Sequence, residues 1–238
     1  MLTGTLESGG RTARWAFTSR SGGVSLAPFD SANVAAHVGD DPSAVRANRA
    51  ALERNLAAGP VAWMGPVHGV EVVLLDEPTP LVPNVDGLAT ARPRLPVATL
   101  GADCVPMLLA SGSFVIAAHV GWRGLADGMT ASLVTLLERH GNDPAGARVL
   151  LGPAICGACY GIPEERAARI ADSCPGAIVT AANGGPGADI RRGLVIEWEA
   201  LGADVELVGP CTAESADHFS HRRDGITGRQ AGVIAWLD

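Results

Sequence analysis

The chain reads as an α+β fold. Short β-rich runs and stretches of helical periodicity both recur along it, their order follows no regular β-α alternation, and Gly, Pro and Asp punctuate the junctions. Its 238 residues are 47% hydrophobic and 18% charged, enough apolar content for a substantial core, and no segment repeats. We therefore read residues 1–238 as one domain.

Taken in order, residues 14–18 read as a strand ending in the Ser21-Gly22-Gly23 turn. Asp41 and Pro42 supply an N-cap and a first-turn proline for a helix whose Val45, Arg49, Leu52 and Leu56 share one face. Strands are expected at 70–75, 95–100, 105–109 and 114–118. Between the first two, 78–94 is rich in Pro and Gly and reads as a loop placed to cover a site; its Asp86 reads as a turn residue. Gly121-Trp122-Arg123-Gly124 then leads into a helix with Leu125, Met129, Leu133 and Leu136 on one face, Trp122 reading as core. A strand at 148–151, a helix at 163–171 and a Gly-rich connector at 181–188 follow. Ile190, Leu194, Trp198 and Leu201 mark a last long helix, and strands at 205–208 and 232–237 close the chain.

Composition excludes several function classes. All 18 basic residues are arginine, so Schiff-base chemistry and phosphate-loop nucleotide hydrolysis, which need a lysine, are ruled out. A net charge of −7 disfavours a nucleic-acid partner. No run approaches the ~18–20 apolar residues that span a bilayer, and the first residues lack a basic-then-apolar secretion signal, so the expectation is a cytoplasmic protein with no membrane partner. Five cysteines, an odd number, fit reduced thiols or metal ligands better than a disulfide framework. Cys156-Gly157-Ala158-Cys159 has zinc or redox spacing but lacks a second such pair, and Cys174 and Cys211 read as packed thiols. His218 and His221 sit in a loop-like segment and are not read as ligands; Arg222, Arg223 and Arg229 either line a pocket or satisfy loop carbonyls.

The chemistry concentrates on His68, Cys104 and His119, each in a Gly-, Asp- or Pro-marked segment where a strand ends. Pro106 cannot donate to an interior ladder, so Cys104 belongs at a strand mouth rather than in the core. One thiolate and two imidazoles suit Zn²⁺, with Cu²⁺ a second possibility, and three ligands leave a position for water or substrate. Asp103 is a candidate proton donor or an orienter of the neighbouring ligand. Arg49, on an apolar helical face, either reaches an anion or lays its stem along the rim; Arg123, near a helix start, either binds phosphate or makes a surface pair. Cys104 activated by His119 as a covalent nucleophile remains a metal-free alternative.

These blocks carry a resemblance. Phe17-Thr18-Ser19-Arg20, Val67-His68-Gly69, Asp86-Gly87, Ala102-Asp103-Cys104-Val105-Pro106, His119-Val120-Gly121-Trp122-Arg123-Gly124, Cys159-Tyr160 and Phe219-Ser220-His221-Arg222-Arg223, in this order, resemble the laccase-domain family. Its members are described both as polyphenol oxidase-like proteins and as purine nucleoside phosphorylases with adenosine deaminase activity. The resemblance implies a layered α/β/β/α sandwich with mixed sheets and a zinc site at His68, Cys104 and His119. It further implies a purine nucleoside pocket using phosphate, with Arg49 a candidate contact. On that reading zinc would lower the pKa of bound water to roughly 7. Copper-dependent phenol oxidation is the family's other activity, but blue multicopper centres need more ligands than six scattered histidines offer. Two positions depart from the family's usual residues: Pro66 stands where Gln is usual and Gly161 where Glu is usual. Oligomeric state is left open.

Overall fold

The computed structural model describes residues 1–56 and 59–238. The chain runs through β1 (Leu2–Ser8), β2 (Arg11–Phe17), α1 (Pro42–Leu56), β3 (Ala62–Gly65), β4 (Val72–Leu75), β5 (Leu81–Pro83) and β6 (Gly87–Thr90). It continues with β7 (Val97–Gly101), β8 (Val105–Ser111), β9 (Phe114–Val120), α2 (Trp122–Ala126), α3 (Met129–Arg139) and β10 (Arg148–Leu151). The last third holds α4 (Glu164–Ser173), β11 (Ile178–Thr180), β12 (Pro186–Ala188), α5 (Ile190–Ala200), β13 (Asp204–Leu207), α6 (His221–Asp224) and β14 (Gln230–Trp236).

Two mixed six-stranded sheets form the centre, ordered β1-β2-β14-β7-β3-β5 and β13-β10-β8-β9-β6-β4. Most neighbours are antiparallel, but β3 pairs in parallel with both β7 and β5, β4 with β6, and β10 with β13. Side chains alternate between layers. In β9, Val115 and Ala117 enter the core between the sheets, while Ile116, Ala118 and Val120 enter the core beneath α2, α3 and α5. In β14, Ile234 and Trp236 point between the sheets, while Ala231, Val233 and Ala235 pack with Leu52 and Leu56 of α1. The result is a helix layer, two sheets and a second helix layer, the sandwich that the family resemblance implied. A sheet covered on both faces buries every residue of β8 and β9, which removes the polar alternation that marks a half-exposed strand.

The structure differs from the sequence reading at several elements: β1, β3 and β11 form where no strand was expected, and the loop-like segment around His221 contains the short helix α6. The stretch 78–94 is not one loop, because it contains β5, which pairs with β3, and β6, which pairs with β4 in the other sheet. Gly87 begins β6 where a Cβ would lie 2.8 Å from Val72, so the glycine that resembles a turn signal is there for close strand packing. The 181–188 connector contains β12, paired with β11. The helix after His119 is broken by Gly128 at φ 89°, giving α2 and α3, and Leu137 rather than Leu136 joins Met129 and Leu133 as the fully buried residues of α3.

Candidate active site and metal centre

The ends of three segments meet at one point. His68 lies in the turn after β3, Cys104 directly precedes β8, and His119 is the penultimate residue of β9. Pro106 pairs with His119 in the β8–β9 ladder, which sets Cys104 beside the end of β9. The sulfur and one nitrogen of each imidazole lie within 4.8 Å of one another, and the two imidazoles meet edge to face at 4.8 Å between centroids. Gly121 closes the approach: a Cβ there would stand 3.0 Å from Cys104 Sγ and 3.2 Å from His68 Cδ2. Two residues at the site, His68 (φ 64°) and Asp103 (φ 95°), hold left-handed backbone conformations that non-glycine residues rarely adopt. Such conformations persist where the surroundings enforce them, commonly at functional sites.

Asp86 organises the centre. It is completely buried at the start of β6, and its Oδ1 accepts from His119 Nδ1 at 2.8 Å and from the His68 backbone N–H at 2.9 Å. Its Oδ2 accepts from the backbone N–H groups of Gly69 at 2.7 Å and Val67 at 3.2 Å. One carboxylate thus positions two of the three donors, and by engaging Nδ1 it leaves Nε2 of His119 for the cluster. Burial pushes the Asp86 carboxyl up, but the bond and charge of His119 together with the backbone donors hold it below the usual range. Burial likewise opposes ionisation of Cys104 and His119. Their mutual attraction outweighs it, with His68 also lowering the thiol and Asp86 also raising His119, so metal-free they form a thiolate–imidazolium pair.

The three donors face a cavity of about 550 Å³, also lined by His37, Trp122, Tyr160, Arg166, Arg222 and Arg229. That size accommodates a small organic substrate. Trp122, read from sequence as core, is half-buried at the cavity wall, with the Arg166 guanidinium 4.7 Å from its ring. Arg222 lies 4.9 Å from the Tyr160 ring and donates to the Gly161 carbonyl. Asp103 lines the cavity, but its carboxylate accepts from Thr212 Oγ1 at 2.7 Å and from the Arg222 backbone N–H at 2.6 Å, joining three segments of the wall. Arg49 and Arg123 lie outside the lining: Arg49 donates to the Val34 carbonyl and stacks 4.2 Å from the Trp63 ring, and Arg123 is exposed beside Trp122. Pro66 lines the cavity, whereas Gly161 makes an isolated bridge to Gly187. Asp86 is missed from the sequence, as are the lining residues His37, Tyr160 and Arg166; the legible signal for Asp86 was its place before Gly87 in a resembling block.

The profile of the family described as multi-copper polyphenol oxidoreductase laccase matches residues 14–237. The chain belongs to this family. Among curated relatives, a purine nucleoside phosphorylase of Streptomyces coelicolor is 44% identical, covering 95% of this chain and 96% of its own. A purine nucleoside phosphorylase of Mycobacterium tuberculosis is 41% identical over 93% of this chain and 90% of its own. Among solved structures, the hypothetical protein YfiH of Bacillus licheniformis superimposes with a TM-score of 0.88 at 30% identity, covering 94% of this chain and 92% of that one. YlmD of Geobacillus stearothermophilus gives 0.87 at 30% identity, covering 95% and 92%. Membership of this laccase family thus joins a shared layered fold to relatives named as nucleoside-cleaving enzymes. No helix among the described residues of this family member is long and apolar enough to cross a membrane.

Proposed function

We propose that the chain is a zinc-dependent purine nucleoside phosphorylase that also deaminates adenosine, acting on adenosine, inosine and related nucleosides at the His68–Cys104–His119 centre. The observation that carries this reading is one soft and two borderline donors converging, with an orienting carboxylate behind them, on an arginine-lined cavity. The donor set suits Zn²⁺, and the space that Gly121 keeps clear beside Cys104 and His68 leaves room for it. When bound there, zinc supplies a Lewis acid that activates water and polarises substrate near neutral pH. We also place the protein in the cytoplasm, since its five cysteines are unpaired, as a reducing compartment requires.

The side chains divide the remaining work. Trp122 and Tyr160 offer flat apolar walls to a purine. Arg166, Arg222 and Arg229 line the same cavity and supply charge-assisted donors for phosphate, which we therefore place on them rather than on Arg49 or Arg123. In phosphorolysis a phosphate oxygen bonds to ribose C1′, the bond from C1′ to the purine nitrogen breaks, and its electron pair leaves with the base, which takes up a proton. His37 lines the same cavity. Burial, then the charges of Arg229, Arg49 and His119, lower its pKa and favour the neutral ring, so we give it a hydrogen-bonding role toward the substrate, and the departing base takes its proton from solvent. Asp103, already accepting two hydrogen bonds, acts as a positioning residue. In deamination, water adds at C6 of adenosine and the amino group departs as ammonia.

The pure protein should be incubated with adenosine, with and without phosphate, and its products separated. Adenine and ribose 1-phosphate appearing only with phosphate, and inosine appearing in both, support the proposal; absence of all three refutes it. A second reading is favoured by the thiolate–imidazolium pairing: a cysteine–histidine hydrolase with Cys104 as nucleophile. Full activity in metal-free protein, abolished by thiol alkylation, would select it. Copper-dependent oxidation finds less support, since among the described residues the two candidate metal clusters contain only His68 and His119 as histidines.

A further inference from the structure

Cys156, Cys159, Cys211 and Glu214 form a second cluster, apart from the nucleoside centre, with one donor atom from each lying within 4.8 Å of the others. Sequence spacing alone gave Cys156 and Cys159 no partners and read Cys211 as a packed thiol. The fold supplies the partners, because Ala154 and Cys211 form a parallel bridge and the Thr212 N–H donates to the Ala154 carbonyl. This brings the chain just before the C-x-x-C turn alongside the 211–215 turn.

The local backbone is already arranged for ligation. Cys159 N–H and Tyr160 N–H both donate to the Cys156 carbonyl, closing the tight turn that aims both thiols the same way. Gly157 within that turn packs so closely that a Cβ would meet Val179 Cγ2 at 2.4 Å, so the turn is held against β11. The Cys156 N–H donates to Cys211 Sγ at 3.3 Å, and Cys159 Sγ stands 3.6 Å from Glu214 Oε1. For Zn–S bonds of about 2.3 Å, sulfurs at the corners of a tetrahedron lie roughly 3.8 Å apart. The four donor atoms, all within 4.8 Å of one another, need to close by no more than about 1 Å to reach that spacing.

We propose that Cys156, Cys159, Cys211 and Glu214 bind a structural Zn²⁺ that staples the C-x-x-C turn to the 211–215 turn. Three thiols release their protons to solvent on binding, and four protein donors close the coordination shell, which marks a structural rather than a catalytic site. The stapled segments form part of the cavity wall. Ile155 and Tyr160 on either side of the C-x-x-C turn line the cavity, and Thr212 beside Cys211 holds the Asp103 carboxylate. Arg223, held by the Asp224 carboxylate, donates to the carbonyls of Thr212 and Ser215 on both sides of Glu214 and so braces that turn.

The test is Co²⁺ titration of the metal-stripped full chain without oxygen, followed by thiolate-to-metal absorption. One ion should bind at each cluster, with the stronger thiolate band belonging to the three-sulfur site. That band should survive in H68A/H119A and vanish in C156S/C211S, and E214Q should release the ion faster to a chelator while keeping its fold. Uptake of a single ion that is lost in H68A/H119A overturns the proposal, as does a Cys156–Cys159 disulfide in protein isolated without oxidant. Should C156S/C211S fail to fold, wild-type stoichiometry and E214Q carry the decision. Nucleoside turnover is not the readout, so failure here is separable from failure of the proposed activity.

Discussion

At the scale of single residues, Asp86 is the residue on which the centre turns. Replacing it by Asn keeps the shape but weakens the bond to His119, and loss of such an orienting partner commonly costs 10–100-fold in metal affinity or activity, measurable by competition with a chelator. Because Asp86 titrates below its ordinary range, it stabilises the fold above the unfolded value of about 3.9, and that contribution disappears as pH falls through the lower folded value. The thermal midpoint of metal-free protein should therefore drop in acid below about pH 4, less steeply in D86N. Cys104 makes a second prediction. Burial alone would raise its pKa, but the histidines bring it to about 6, so alkylation of the metal-free thiol should rise through pH 6 and be level by pH 8. A rate still climbing at pH 8 would mean an ordinary thiol. His68, Cys104 and His119 were legible because each carries reactive chemistry beside a strand-ending signal. Asp86 was not: its partners lie 17 to 33 residues away, and an Asp before Gly looks like any turn.

At the scale of elements, the junction of β9 with α2 decides whether the donors can converge. Gly121 has φ −90°, open to any residue, so substitution by Ala tests space rather than backbone freedom. G121A should bind metal more weakly at the His68–Cys104–His119 centre while unfolding at nearly the wild-type denaturant concentration; wild-type affinity would show that the gap beside Cys104 is unimportant. Leu108 on β8 is fully buried between the sheets, and its truncation to Ala should cost about 2–5 kcal/mol in urea unfolding. Most helices and strands were readable within a few residues from periodicity and caps. β1, β3, β5, β6, β11 and β12 were not read; β6 and β12, short and rich in Gly, Pro or Ala, show no alternation and take their identity from neighbours remote in sequence.

At the scale of the whole molecule, the order of layers was beyond periodicity and came from the family resemblance. Strands such as β8 and β9, buried along their full length, indicate cover on both faces without saying whether the cover is a sheet or a helix. The same non-local assembly makes a cationic cavity wall in a protein of net charge −7, from arginines of α4, α6 and the segment before β14. Substituting Arg229 by Gln should raise KM for phosphate roughly tenfold or more, as loss of a charged hydrogen bond does, and should also lower the thermal midpoint, since Arg229 donates to the Thr227 and Gly228 carbonyls. The most direct test of the whole account is ribose 1-phosphate formation from inosine and phosphate by metal-stripped protein, before and after Zn²⁺ is restored. The account predicts no turnover before and recovery after, with none in C104A at either stage; undiminished turnover by the stripped protein would contradict it.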